Sequence, residues 1–197
     1  MSNERDELRR GLEGDDFHVL GRDYSLKHQD DVHGTSERLT EGGLVVRGDL
    51  TAKFIYPGHT ESRVLGRNIV VNSGLDNIAR AIAANYSNST SYQINNFAIG
   101  DSKQAEAAGL TELGHIIHSA SPVVTFANVG KVTFTLSLLD GAGGYPGVDK
   151  VTINEAGLRA TGTSPVLVAY KGFSDIIKDA SYRLDLSWTL SFTYVAP

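Results

Sequence analysis

The sequence predicts a mainly β protein: an antiparallel β-sandwich of jelly-roll-like character, with one packed α-helix and an extended N-terminal arm. Three observations carry this expectation. Two long segments alternate apolar and polar residues with period two, the mark of a sheet with one wet face. Only one segment keeps a sustained helical period. The charge is unevenly spread: residues 1–50 carry 7 Lys/Arg against 12 Asp/Glu, whereas residues 51–197 carry 11 of each. That shift divides the 197 residues into an acidic arm, 1–43, and a β-sandwich domain, 44–197.

In the arm, residues 3–13 allow a short helix with Asn3 as cap and Asp6 four residues before Arg10, but only Leu8 and Leu12 supply an apolar stripe. From Gly14 to Gly43 the isolated Phe17, Val19, Leu20, Tyr24 and Leu26 keep no period, which reads as an extended arm ordered by a partner. Ordering costs about 1–2 kcal/mol per residue in backbone entropy, so the partner must supply extensive contacts. Leu8, Leu12, Phe17 and Tyr24 are the candidate partner-binding anchors.

Beyond Gly43 come strands at Leu44–Arg47 and Leu50–Tyr56, the second ended by the Pro57-Gly58 turn, and a third at Val64–Val71. The helix is Gly74–Asn85: Leu75, Ile78, Ala79 and Ile82 fall at i, i+3, i+4 and i+7, with Asn72 or Ser73 as cap and Asp76, Asn77, Arg80 and Ala81 on the outer face. Val132, Phe134, Leu136 and Leu138 then share one strand face. In the last strand Tyr182, Leu184, Leu186, Trp188, Leu190, Phe192 and Tyr194 alternate with polar residues. Further strands are expected at Gln93–Ile99, Val123–Phe126, Val148–Ile153 and Val166–Tyr170, with Asp140–Gly147 as a glycine-rich loop.

Composition removes several classes of function. With no cysteine there is no disulfide, thiolate nucleophile or zinc-thiolate site. Residues 1–30 contain no apolar stretch of signal-peptide length, and no window nears the ~20 apolar residues of a membrane span, so a soluble, cytoplasmically made chain without membrane partners is expected. Neither part is basic enough for nucleic-acid binding.

The chemistry-bearing patterns are weak. Gly100-Asp101-Ser102 after Phe97-Ala98-Ile99 is similar to the nucleophile block of the GDSL hydrolases, but the late Asp-x-x-His that would activate the serine is missing. A strand-ending turn is the preferred reading. His115 and His118, with Glu112 near, have the spacing of two ligands on one helix face but lack a third, and in a β-rich chain they are better read as surface or rim decoration. His28, Asp30, Asp31 and His33 form a hard-ligand cluster better read as a solvated charge run. Arg47-Gly48-Asp49 reads as a tight turn between two strands, and the glycosylation patterns at Asn85 and Asn88 as a polar loop. Glu155, between apolar residues in Ile153-Asn154-Glu155-Ala156-Gly157-Leu158, is expected to cap backbone N–H groups or to pair with Arg159 or Arg80. Tyr86, Tyr92 and Tyr145 are loop tyrosines that a carbohydrate-binding tip would use, with a host surface glycan as partner. No catalytic residue, metal site or cofactor is expected.

Several blocks in order resemble a loosely described group of tailed-bacteriophage virion proteins. They are Asn68-Ile69-Val70-Val71-Asn72-Ser73-Gly74-Leu75, running into a helix, then Phe97-Ala98-Ile99-Gly100-Asp101, then Leu110-Thr111-Glu112-Leu113. Ile153-Asn154-Glu155-Ala156-Gly157-Leu158, Leu167–Phe173, Ile176–Lys178 and Leu184–Leu190 follow. The match spans residues 66–193 and departs after Leu113, where Gly114-His115-Ile116-Ile117-His118 replaces an acidic-then-arginine segment. The resemblance implies a non-enzymatic virion component in the tail, neck or baseplate, or a capsid decoration or head fibre. Other virion proteins and further copies of the chain would be its partners, in a homo-oligomer.

Overall fold

The computed structural model describes residues 17–20, 43–83, 92–141, 143–147, 149–161 and 165–195. The elements are β1 (Phe17–Leu20), β2 (Gly43–Tyr56), β3 (His59–Val70), α1 (Asn72–Ala83), β4 (Ile94–Gly100), β5 (Ile116–Ala120) and β6 (Val123–Asn128). They continue with β7 (Lys131–Leu138), β8 (Val151–Thr161), β9 (Pro165–Lys178) and β10 (Arg183–Val195). Leu8, Leu12 and Tyr24, the short helix over 3–13, the His28–His33 cluster, Tyr86 and the two glycosylation patterns lie outside the described residues.

All described strand pairs are antiparallel, in the order β5-β4-β8-β9-β3-β2-β10-β7-β6, with β1 added to β2. The path is one curled sheet, a half-barrel whose two walls face each other. Their side chains share a core: Leu50, Phe54, Phe134, Leu136, Leu184 and Trp188 from one wall meet Phe97, Ile99, Ile153, Leu158 and Phe173 from the other. Phe97 meets Trp188 edge-on, with ring centroids 5.7 Å apart. The expected antiparallel β structure with one packed helix is present. The strands do not divide into the two unconnected sheets of a jelly roll, because β3 bonds to β2 through most of its length and then crosses to β9 at Ile69 and Val70. Bulges in β2–β3, β4–β8, β8–β9 and β6–β7 add the twist that curls the path.

The switch of β3 also explains a correction. No turn forms at Arg47-Gly48-Asp49; β2 runs straight through it. Gly48 lies opposite Asn68, and a Cβ there would collide with the Asn68 side chain. That side chain must cross because Asn68 Oδ1 accepts the Trp188 indole N–H at 2.9 Å, while its Nδ2 donates to Ile69 O at 2.9 Å. Past Asn68 the edge of β2 is vacant of β3, and β1 takes it, pairing Phe17–Leu20 with Arg47–Leu44. Of the four expected anchors, Phe17 is therefore placed by its backbone on β2.

The helix packs on β9 as its period requires. Gly74 lets α1 approach so closely that a Cβ would overlap the Val168 backbone, and Ser73 Oγ donates to Leu167 O at 2.9 Å. Its inner face differs from the expected one. Asn77 is buried and donates to Tyr92 O at 2.8 Å, whereas Ile82, on the expected inner stripe, is 72% exposed. The strand expected to begin at Val148 begins at Val151, and β5 is not among the expected strands.

Candidate functional site

Two places on the half-barrel gather side chains whose arrangement goes beyond filling the core. The first is polar and lies where the loop from β4 to β5 folds over β8 and β9. Glu155, fully buried, accepts hydrogen bonds from Gly114 N at 3.0 Å, His115 N at 2.9 Å and the Tyr170 hydroxyl at 3.1 Å. Gly100 makes room for it, since a Cβ there would overlap the Glu155 carboxylate and His115 O. Gln104 N donates to the Tyr170 oxygen at 2.7 Å, and burial beside Glu155 holds the phenol proton on far above the usual tyrosine range. Glu155 thus caps backbone N–H groups, as expected. Its expected arginine partners go elsewhere, Arg159 to Glu112 at 2.7 Å and Arg80 to Asp76 at 2.7 Å.

On the rim of this loop, His115 Nδ1 lies 2.7 Å from Asp101 Oδ1, beside Ser102 in sequence. Reading for a late Asp-x-x-His misses this pair, because the histidine returns on a hairpin of the chain. Among the described residues no hydrogen bond joins the Ser102 hydroxyl to that histidine, and Ser102 is an exposed turn residue. His118 turns to a different neighbour. Its ring stacks on Tyr145 at 4.2 Å, and burial lowers its pKa below the ordinary histidine value. His115, just before β5, and His118, within it, are thus divided between Asp101 and Tyr145. No group of three or more His, Asp or Glu stands ready for a metal ion among the described residues. Tyr145 spends its hydroxyl on Ile117 O at 3.1 Å and one ring face on His118.

The second place is apolar. β5 and β6 are consecutive, separated by Ser121 and Pro122, yet β5 pairs with β4 and β6 with β7. The half-barrel stays open along this seam. A groove of about 520 Å³ lies beside β6, bounded by Asn77, Ile78 and Ile82 of α1, Ile94 of β4, Phe126 of β6 and Phe192 of β10. Tyr92, one of the expected glycan-binding tyrosines, also lines it. Sequence reasoning missed the groove. Its available signal was the run Ser119–Gly130, which has valines and a phenylalanine and no charged residue.

Among the described residues no helix is long and apolar enough to cross a membrane. No family model, curated protein or solved structure matches this chain at a significant level.

Proposed function

We propose that the chain is a non-enzymatic structural component of a tailed-phage virion, a tail, neck or baseplate subunit or a capsid decoration or head fibre. It works by docking to other virion proteins and to its own copies. The observation that carries this reading is the strand β1: a segment of the charged arm is used as an added strand on the part of β2 that β3 leaves open. Strand addition gives affinity through the backbone and so suits an arm with few apolar residues. The resembling blocks support it further, since they meet in space: Asn68 with Trp188, and Gly100 with Glu155 and Tyr170. We read the two facing walls as sandwich-like layers that share β3; α1 and the β4–β5 loop cover the outer face of the β8-β9 wall, which leaves the outer face of the β2-β10-β7 wall for neighbours.

The test is mass spectrometry of purified particles together with light scattering of the full chain. Presence in particles is expected, with assembly weakened when Leu8, Leu12, Phe17 and Tyr24 are all changed to alanine. A strictly monomeric protein absent from particles overturns the reading.

A further inference from the structure

We propose that β6 pairs edge to edge, antiparallel, with β6 of a second copy of this chain, closing the seam of each half-barrel against its twin. The proposal rests on the assembly reading above and names one of its interfaces.

One side of β6 bonds to β7, and its other side has no strand partner among the described residues. Open edges of this kind are normally guarded by charge, proline or a covering element. The chain guards its other long edge in that way: β3 presents Glu61, Arg63 and Arg67 along the stretch that β9 does not cover. β6 is bulged between Thr125 and Asn128 but carries neither charge nor proline. Val123 is 66% exposed and Phe126 80%, with Val124 and the following Val129 also exposed. From Ser119 to Gly130 there is no charged residue, and the sole proline, Pro122, precedes the strand. Leaving this surface in water is unfavourable, and the open backbone calls for a strand as occupant.

The absence of charge also selects the occupant. A two-fold axis sets a strand against its own reversed copy, so any charged residue near the axis meets its like across the interface. β6 meets no such penalty. Within the chain, residues 84–91 offer Tyr86 as their one large apolar side chain, and the arm beyond β1 would bring closely spaced charges to an apolar edge. The groove beside β6, walled by Ile78, Ile82, Ile94 and Phe192, gives the partner's apolar side chains a place to go.

The chain contains no cysteine, so single cysteines report contacts cleanly. Val123→Cys, Val124→Cys, Thr125→Cys and Phe126→Cys are made one at a time in the full chain and oxidised. At least one, the position nearest the two-fold axis, is expected to give a disulfide-linked pair of chains, because directly opposed antiparallel residues lie within disulfide reach. Light scattering of the wild-type chain is expected to give an even number of copies, and Val124→Lys with Phe126→Lys to halve it while the melting temperature of the single chain is kept. A wild-type monomer at about 100 μM, or failure of all four cysteines to cross-link, overturns the pairing. A monomer that is still found in particles removes this interface and leaves the virion reading standing; a β6-linked dimer absent from particles does the reverse.

Discussion

Trp188 and Phe126 are aromatic residues of one sheet, on strands separated only by β7, and their surroundings are opposite. Trp188 is fully buried, meets Phe97 of the far wall and gives its N–H to Asn68, while Phe126 stands 80% exposed beside the groove. The difference follows from closure. Where the two walls face each other, every large side chain finds a partner across the core, and even the indole N–H is satisfied; where the sheet fails to close between β5 and β6, apolar side chains remain without one. Packing here is a property of the strand path and not of the strand. Breaking the closed side has the largest expected effect: Trp188→Ala loses about 3–5 kcal/mol of stability from the cavity and the lost burial. Denaturant unfolding checks this, and Trp188→Phe separates the hydrogen bond, since the buried Asn68 oxygen left unsatisfied accounts for about 1–3 kcal/mol.

The polar anchor of the β4–β5 loop comes next. Glu155→Ala leaves the Gly114 and His115 N–H groups and the Tyr170 hydroxyl without their common acceptor, at a cost of about 1–3 kcal/mol by the same reasoning. The damage is local, because the loop's other ties to the sheet, Lys171 to Glu106 and Arg159 to Glu112, do not pass through Glu155. Hydrogen exchange is therefore expected to rise over residues 101–115 before it rises in β10. Equal loosening of both would place Glu155 in the global core instead.

What could be read from the sequence divides along the same line. The alternation of β7 and β10 and the role of Glu155 were legible, because period and the burial of a lone acid are local signals. The Pro57-Gly58 turn was legible too, Gly58 having φ +96° at the tip of the β2–β3 hairpin. Gly48 was not, since what fixes it is the side chain of Asn68 arriving from another strand. Asn77 faces inward because a distant carbonyl, Tyr92 O, needs a donor, and no helical period reports that. β5 is short, and His118 within it stands at helical spacing from His115 just before it, so its strand pairing with β4 had to be seen. The seam was least legible of all, because whether a sheet closes depends on every bulge along its path.

A third expected effect is a pH dependence from the rim. His118 is held by burial below its ordinary pKa, so the unfolded chain takes up a proton near pH 6.5 while the folded chain stays neutral until the pH is lower. In that window the unfolded state binds more protons, and stability therefore falls as pH drops below about 6.5. Replacing the imidazole by an uncharged amide in His118→Gln is expected to flatten this slope in unfolding curves between pH 7 and 5. An unchanged slope would assign the dependence to other groups.

The smallest effect on the single chain, and the sharpest use of the comparison, is at the seam. Phe126→Ser removes an aromatic ring as Trp188→Ala does, yet the ring is in water, so the monomer's stability is expected to change by no more than about 0.5 kcal/mol. Association amplifies what folding ignores. A protein stabilised by a partner copy melts at a temperature that rises with its own concentration, because the partner binds the folded state and not the unfolded one. The wild-type melting temperature is thus expected to climb across a hundredfold concentration range and that of Phe126→Ser to stay flat, the two converging at the dilute end. If both curves are flat, exposed Phe126 has no copy to meet; if both climb alike, the copies meet through another face.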